Sequence, residues 1–231
     1  MPSKNSLKID IENGYYHIYN RGVEKRIIFQ DTQDYKVFLK YLKESLSPLP
    51  DPKNLEKNFT LQGTSFKGVP RQPKNFYRKI ELHSFCLMPN HFHLLIKQIE
   101  KGSMQGLMRS LLTRYSTYFN KKYKRVGPLF QGRYKAVLVN NEEYLLHLTR
   151  YIHLNPTEYT KNIVSWYSSY ADYLSLRKTK WVKPKFVLAF FNNQTIPEIK
   201  KYNSYKNFVE KYEQDSKKIL GELTLELEKE V

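Results

Sequence analysis

Residues 82–97 read LHSFCLMPNHFHLLIK, and this stretch decides the fold around which the chain is built. The pattern predicts two β-strands joined by a tight turn at Pro89 and Asn90. Because side chains alternate between the two faces of a strand, His91 and His93 share one face and Phe92 takes the other. The two histidine Cα atoms then lie about 6 to 7 Å apart, near enough for both imidazoles to bind one divalent cation. Such a pair is also common as a structural element, so the spacing alone leaves both interpretations open.

Four other segments carry recognisable motifs: YHIYNRG at 16–22, RYSTYFN at 114–120, GPLFQGRY at 127–134 and YIHLNP at 151–156. Together with MPNHFHLL at 88–95, their order and spacing resemble those of the HUH single-tyrosine transposases. This family includes insertion-sequence transposases and the REP-associated tyrosine transposases. The resemblance covers residues 15–173.

The resemblance implies a metal-dependent enzyme that cuts and joins single-stranded DNA. His91 and His93 would hold the divalent metal, Mg²⁺ or Mn²⁺. The nucleophile would be the first tyrosine of RYSTYFN, Tyr115, with Tyr118 as the second choice. Its attack would leave a covalent 5′-phosphotyrosine and a free 3′-hydroxyl. Free phenol has a pKa near 10, so the hydroxyl needs a cation or a base nearby.

The pattern around Tyr115 also has a structural interpretation, because this residue lies on an apolar helical stripe and would ordinarily be core. Some relatives supply a third metal ligand four residues after the tyrosine, where this chain has Phe119. Asn120 is turned about 140° away from Tyr115 on a helix. Gln131, His83 or water are therefore left open as the third ligand.

Charge and composition point to a polyanionic partner. Lys and Arg outnumber Asp and Glu by 39 to 22, the net charge is +17, and 19 tyrosines contribute to an aromatic content of 15%. This balance is typical of nucleic-acid binding, with aromatic rings as stacking surfaces for bases. A basic insertion at about 47–76 either contacts DNA or is a solvated loop. The predicted nucleic-acid contacts are Arg21, Lys121, Lys122, Lys124, Arg125, Arg133 and Lys135.

The predicted order of elements is strand (15–21), helix, strand (76–88), strand (91–98), helix and strand. This order indicates an α+β, ferredoxin-like fold with a four-stranded antiparallel sheet and two helices on one face. We expect a catalytic core at 1–158 and a helical accessory region at 159–231, with helices near 183–191 and 197–220.

The function expected from these features is that of a DNA transposase, a single-strand endonuclease and strand transferase acting on single-stranded or hairpin DNA. Two alternatives stay open: a relative that binds nucleic acid without cleaving it, and another HUH enzyme such as a replication initiator, a relaxase or an RNA-directed relative. A homodimer, with the active site in cis or in trans, is also left open.

The single Cys86 excludes a disulfide framework within the chain and a cysteine-rich zinc module. Because no apolar run reaches about 18 residues and no signal sequence is evident, we expect a cytoplasmic protein without membrane contact.

Overall fold

The computed structural model describes residues 9–193 and 196–211. The helices and strands, numbered in chain order, are β1 (Tyr15–Arg21), α1 (Thr32–Leu46), β2 (Lys57–Leu61), β3 (Thr64–Gly68), β4 (Ile80–Met88), β5 (His91–Gln98), α2 (Ser103–Lys122), β6 (Lys135–Val139), α3 (Glu142–Leu154), α4 (Tyr170–Tyr173), α5 (Lys185–Asn193) and α6 (Tyr205–Glu210). No helix in this described part is long and apolar enough to cross a membrane.

The main sheet has four antiparallel strands in the order β4-β5-β1-β6. With α1 and α2 as the two connecting helices, this is the ferredoxin-like arrangement, so the predicted fold is confirmed. β1 and β5 have the predicted bounds. β4 begins at Ile80 rather than at 76, because the backbone amides of Lys79 and Ile80 donate to the carbonyl of Phe76 and close a turn there.

The two faces of the sheet are covered by different helices. Alternate side chains of the strands, including Ile18, Phe92 and Leu94, form one buried core with α1 and α2. The intervening side chains, including Leu95 and Cys86, form a second core with α3 and the segments that follow it. A two-sided sheet of this kind explains why four of the six β5 positions outside the histidines are apolar.

Helix α1 is secured at its start and along its contact with α2. Asp31 and Asp34 form a capping box, in which each side chain accepts from the backbone amide of the other. Asp34 also accepts from the hydroxyls of Tyr118 and Tyr123 and from the Lys122 ammonium, at 2.7 to 2.9 Å. The buried carboxylate of α1 is therefore paired by the last turns of α2.

The insertion between α1 and β4 differs from the predicted irregular loop, because β2 and β3 pair within it as an isolated hairpin. Gln62 and Gly63 form its turn with φ of 49° and 80°, the left-handed conformation that two-residue hairpin turns require. Phe59 and Phe66 stack across the strands at 5.8 Å. The strands are largely exposed, so they lack the alternation of apolar and polar residues that would have predicted them.

The chain after α3 packs on the second core rather than lying apart from it. The helix predicted near 183–191 is observed as Lys185–Asn193. The helix predicted at 197–220 is observed only as a 3₁₀ turn at Pro197–Ile199 and as α6. The remainder of that prediction, from 212 on, lies outside the described residues. The division of the chain at 158/159 stays a prediction.

Candidate active site

The histidine pair occupies the sheet face covered by α3. In the register of β1 and β5, Arg21 lies opposite His91 and Tyr19 lies opposite His93. His17, two residues before Tyr19, is on the same face. Strand alternation therefore collects three imidazoles from two neighbouring strands, beside one guanidinium.

His93 is buried and is held by a second histidine. Its Nδ1 lies 2.9 Å from His17 Nε2, and its Nε2 is buried with no hydrogen-bond partner in the part of the chain that the structure describes. Burial, together with the neighbouring His91 and His17, holds the pKa of His93 well below its usual value, so the ring is neutral at pH 7. If its Nδ1–H donates to His17, Nε2 carries a lone pair, as a metal ligand requires.

The tautomer of His91 follows from its neighbour. His91 Nδ1 lies 2.6 Å from Asn90 Oδ1, and an amide oxygen can only accept, so Nδ1 carries the proton. In the neutral ring the lone pair is then on Nε2. That nitrogen lies 3.5 Å from Asn155 Oδ1.

Helix α3 brings Tyr151 and Asn155 to the same face. Asn141 caps the helix by accepting from the amides of Glu143 and Tyr144. Residues four apart lie one above the other on a helix, so Tyr151 and Asn155 both project toward the histidines. The Tyr151 ring meets that of His93 edge-on, with centroids 5.3 Å apart.

The Asn155 amide is oriented by Tyr151. Its Nδ2 donates to the Tyr151 carbonyl at 2.8 Å, which turns Oδ1 toward His91. Two ligands of one octahedral Mg²⁺ or Mn²⁺ lie about 3 Å apart, since each bond is about 2.1 Å long. The Nε2 of His91 and the Oδ1 of Asn155, 3.5 Å apart, are near this spacing, and the His93 ring lies next to that of His91, with centroids 5.0 Å apart. Imidazole nitrogens and an amide oxygen are donor types that a divalent cation accepts. Within residues 9–193 and 196–211, no group of three or more His, Cys, Asp or Glu side chains is placed to hold a metal ion.

Tyr115 is not brought to the histidines. Its side chain is fully buried in the core between α1, α2 and the opposite face of the sheet, where its ring contacts Phe29 and Phe38. Its hydroxyl donates to the carbonyl of Ile28 at 2.5 Å, and burial raises its pKa far above the usual value. The helical stripe was correctly predicted to face the sheet, but it faces the side of Phe92, away from the histidines.

Of the other candidates from the sequence, Tyr118 and His83 lie away from the histidine pair, whereas Gln131 lies beside Arg21, the residue opposite His91. Tyr118 donates to Asp34, and burial raises its pKa to about 12. His83 contacts the Lys183 carbonyl and lies about 16 Å along β4 from Met88, the partner of His91. The Gln131 side chain accepts from the guanidinium of Arg21.

The predicted nucleic-acid contacts separate into two groups. Lys121, Lys124 and Arg133 are exposed, and Arg21 lies beside His91. In contrast, Lys122 is paired with Asp31 and Asp34, Arg125 donates to Asn120, and Lys135 is buried in β6. Of this set, Arg21 lies directly opposite His91, and Lys135 lies opposite Tyr19 on the same face of the sheet.

Tyr151 and Asn155 are the site residues that the sequence analysis missed. Both belong to the YIHLNP motif, where the spacing of four between a tyrosine and an amide places them on one helical face. That spacing was the available signal. It could not be distinguished from a helix end, because Asn155-Pro156 is also a normal stop for a helix.

The middle of the chain is similar in sequence to a known protein family. Residues 73–155 match the family model described as Transposase IS200 like. This region runs from the approach to β4 through the histidine pair and ends at Asn155. None of the curated protein sequences compared with the chain matches it.

Among solved structures, the fold is similar to that of a REP-associated tyrosine transposase bound to a REP hairpin. The match has a TM-score of 0.50 and 12% sequence identity, and it covers 78% of this chain and 98% of the other. At this identity the likeness concerns the fold. Together, the family match over residues 73–155 and the shared fold support the resemblance of this chain to the HUH single-tyrosine transposases.

Proposed function

We propose that the protein is a metal-dependent transposase that nicks and joins single-stranded DNA, with Tyr151 as the nucleophile. The observation that carries the proposal is the convergence of Tyr151 and Asn155 from α3 on His91 and His93 from β5. Tyr115 is not proposed for this role, because its hydroxyl donates to the Ile28 carbonyl in the core on the other side of the sheet.

The proposed metal ligands are His91, His93 and Asn155. Few protein ligands leave positions open for phosphate oxygens, an arrangement that suits Mg²⁺ or Mn²⁺. When bound, such an ion withdraws charge from a phosphate and stabilises the negative charge that develops during its substitution. His17 would act as a positioning residue, because its contact with His93 Nδ1 keeps the lone pair of His93 on Nε2.

The covalent step is a transesterification. The Tyr151 oxygen forms a bond to phosphorus while the bond between phosphorus and the 3′-oxygen breaks. The proton lost by the phenol is balanced by the proton gained by the departing 3′-oxygen. The products are a 5′-phosphotyrosine and a free 3′-hydroxyl, and attack by another 3′-hydroxyl reverses the step and joins two strands. No nucleotide cofactor is needed, since the phosphodiester bond is exchanged rather than hydrolysed.

The surroundings of the site support a phosphate substrate. Arg21 is aligned with His91 across two strands, and its guanidinium is oriented by the Gln131 side chain. A guanidinium in this position can donate two hydrogen bonds to a phosphate. His91 and Asn155 are only partly buried, so the site opens to solvent on their side.

The proposed partner is single-stranded or hairpin DNA, in line with the REP hairpin bound by the structural relative. Tyr151 and the histidines meet within a single chain, which favours assembly of the site in cis. A homodimer is not needed to complete it.

The test is formation of a complex with labelled DNA that survives SDS, in the presence of Mg²⁺ or Mn²⁺. We expect the adduct in the wild type and in Tyr115→Phe, and its loss in Tyr151→Phe and His91→Ala. Loss in Tyr115→Phe with retention in Tyr151→Phe would reject the assignment of the nucleophile. Binding of DNA without an adduct under any metal would instead support a non-cleaving relative.

A further inference from the structure

A cleft of about 680 Å³ lies between residues 71–74 and helix α2. Its lining includes four cationic side chains and the hydroxyls of Ser110 and Thr113. The four cations are Arg71, Lys74, Arg109 and Arg114. This cleft is on the α2 side of the sheet, so the sheet separates it from the histidine pair.

The walls of the cleft are held in place by contacts at its base. Asn75 donates from its side chain to the carbonyls of Glu44 and Ser47, at 2.9 and 2.8 Å. The Phe76 amide donates to the Ser45 carbonyl at 2.7 Å. Phe76 packs directly on Gly106 of α2, where an added Cβ would lie 2.7 Å from the ring. The insertion is therefore anchored to both helices where it lines the cleft.

The charge in the cleft is largely unneutralised. Within the described residues, the charged ends of Arg71, Lys74 and Arg109 have no hydrogen-bond or ion-pair partner. Arg114 pairs with Glu44 and stacks on the Tyr41 ring at 3.9 Å, yet its Nη1 is buried without a partner. Helix α2 contributes no Asp or Glu. Cations concentrated in a concave site attract anions strongly.

We propose that this cleft binds backbone phosphates of a nucleic acid strand, as a second contact remote from the histidine-tyrosine site. Arg109 and Arg114 both line the cleft from α2, so the cleft offers two guanidinium groups to one strand, and each can donate two hydrogen bonds to a phosphate. Arginine, lysine and hydroxyl groups are the side chains that contact phosphates without reading sequence. The cleft holds the part of the DNA that extends away from the scissile bond.

This proposal rests on the proposed function for the identity of the nucleic acid, and its test separates the two. The affinity for a labelled DNA hairpin with a single-stranded flank is measured by fluorescence anisotropy in EDTA, at several salt concentrations. The variant is Lys74→Ala with Arg109→Ala, two exposed positions. The matched control is Lys36→Ala with Lys43→Ala, two exposed lysines of α1 that remove the same charge.

We expect the cleft variant to bind roughly tenfold more weakly, and to lose about 1 to 2 from the slope of log affinity against log salt. The control pair should change neither quantity appreciably. The proposed phosphate-binding role of the cleft would be rejected by any of three results: equal weakening by both pairs of substitutions, unchanged binding in the cleft variant, or no binding by the wild type.

Adduct formation on a short oligonucleotide that reaches only the histidine-tyrosine site is measured in parallel. An adduct that persists in the cleft variant, with weakened hairpin binding, supports both proposals. If the wild type forms no adduct but its hairpin binding is weakened by the cleft substitutions, the proposed phosphate-binding role of the cleft is supported and the proposed cleavage is rejected.

Discussion

The two faces of the central sheet carry tyrosines in opposite environments. On the α1 and α2 face, Tyr115 lies among phenyl rings, and its hydroxyl is bound to the backbone of Ile28. On the α3 face, Tyr151 lies edge-on to His93, within a cluster of imidazole and amide groups. A buried tyrosine on a sheet-facing helix is therefore a candidate nucleophile only when its helix covers the face that bears the proposed metal ligands.

The largest expected effect concerns packing on the two faces. Tyr115→Ala should lower the free energy of unfolding by about 3 to 5 kcal/mol, because it opens a cavity in the phenyl-lined core. Tyr151→Ala should cost less, since part of its buried ring contacts the imidazoles of His17 and His93 rather than apolar side chains. Urea unfolding of both variants measures the difference. Equal losses would show that the two faces are equally packed.

The next effect concerns the support of His93. His17→Gln should weaken Mn²⁺ binding by about 10- to 100-fold, or roughly 1.4 to 2.7 kcal/mol, because it removes the imidazole that holds the His93 tautomer. Binding of Mn²⁺ is followed by the loss of its free-ion EPR signal, which requires no activity. His83→Gln is the matched control, a buried histidine at the far end of β4. Equal weakening in both variants would reject a specific role for His17.

A smaller effect on the free energy of unfolding is expected at acidic pH, and it concerns His147 of α3. Burial, with the nearby Arg150 and Lys201, lowers the pKa of His147 to about 4 from the usual 6.5. Between pH 4 and pH 6.5 the unfolded chain binds a proton at His147 and the folded chain does not. The free energy of unfolding is therefore at its full value above pH 6.5 and decreases as the pH falls toward 4. We expect about 1 to 2 kcal/mol of this loss, after allowing for solvent screening.

Urea unfolding at pH 7 and pH 4.5 checks this prediction, with His147→Gln as the comparison. The variant should lose less stability than the wild type over this interval. An equal loss in both proteins would assign the acid sensitivity to other groups.

The smallest expected effect is that of Tyr115→Phe on stability, and the same variant tests whether Tyr115 or Tyr151 is the nucleophile. Tyr115→Phe removes one hydrogen bond and leaves the Ile28 carbonyl without it, so about 1 kcal/mol of stability should be lost. The yield of the covalent adduct, measured well below the unfolding temperature, should stay near that of the wild type. A folded Tyr115→Phe protein that forms no adduct would return the catalytic role to Tyr115.

Much of the fold could be predicted from the sequence, because β1 and β5 have strong strand patterns and α1 has a clear cap. The histidine pair followed from alternation along β5. The hairpin of β2 and β3 could not be predicted in this way, since neither of its faces is buried in a core. Asn155 was not predicted as a possible ligand, because the expected position was four residues after Tyr115 on α2, which packs on the other face of the sheet.

The sequence by itself determined which residues share a side of each strand and helix. The period of two placed His91 and His93 together, and the period of 3.6 placed Tyr151 above Asn155. Only the tertiary structure decided that α3, rather than α2, covers the histidines. Periodicity orients a residue about the axis of its own element, whereas the sheet face on which a helix packs depends on how the whole chain crosses over the sheet.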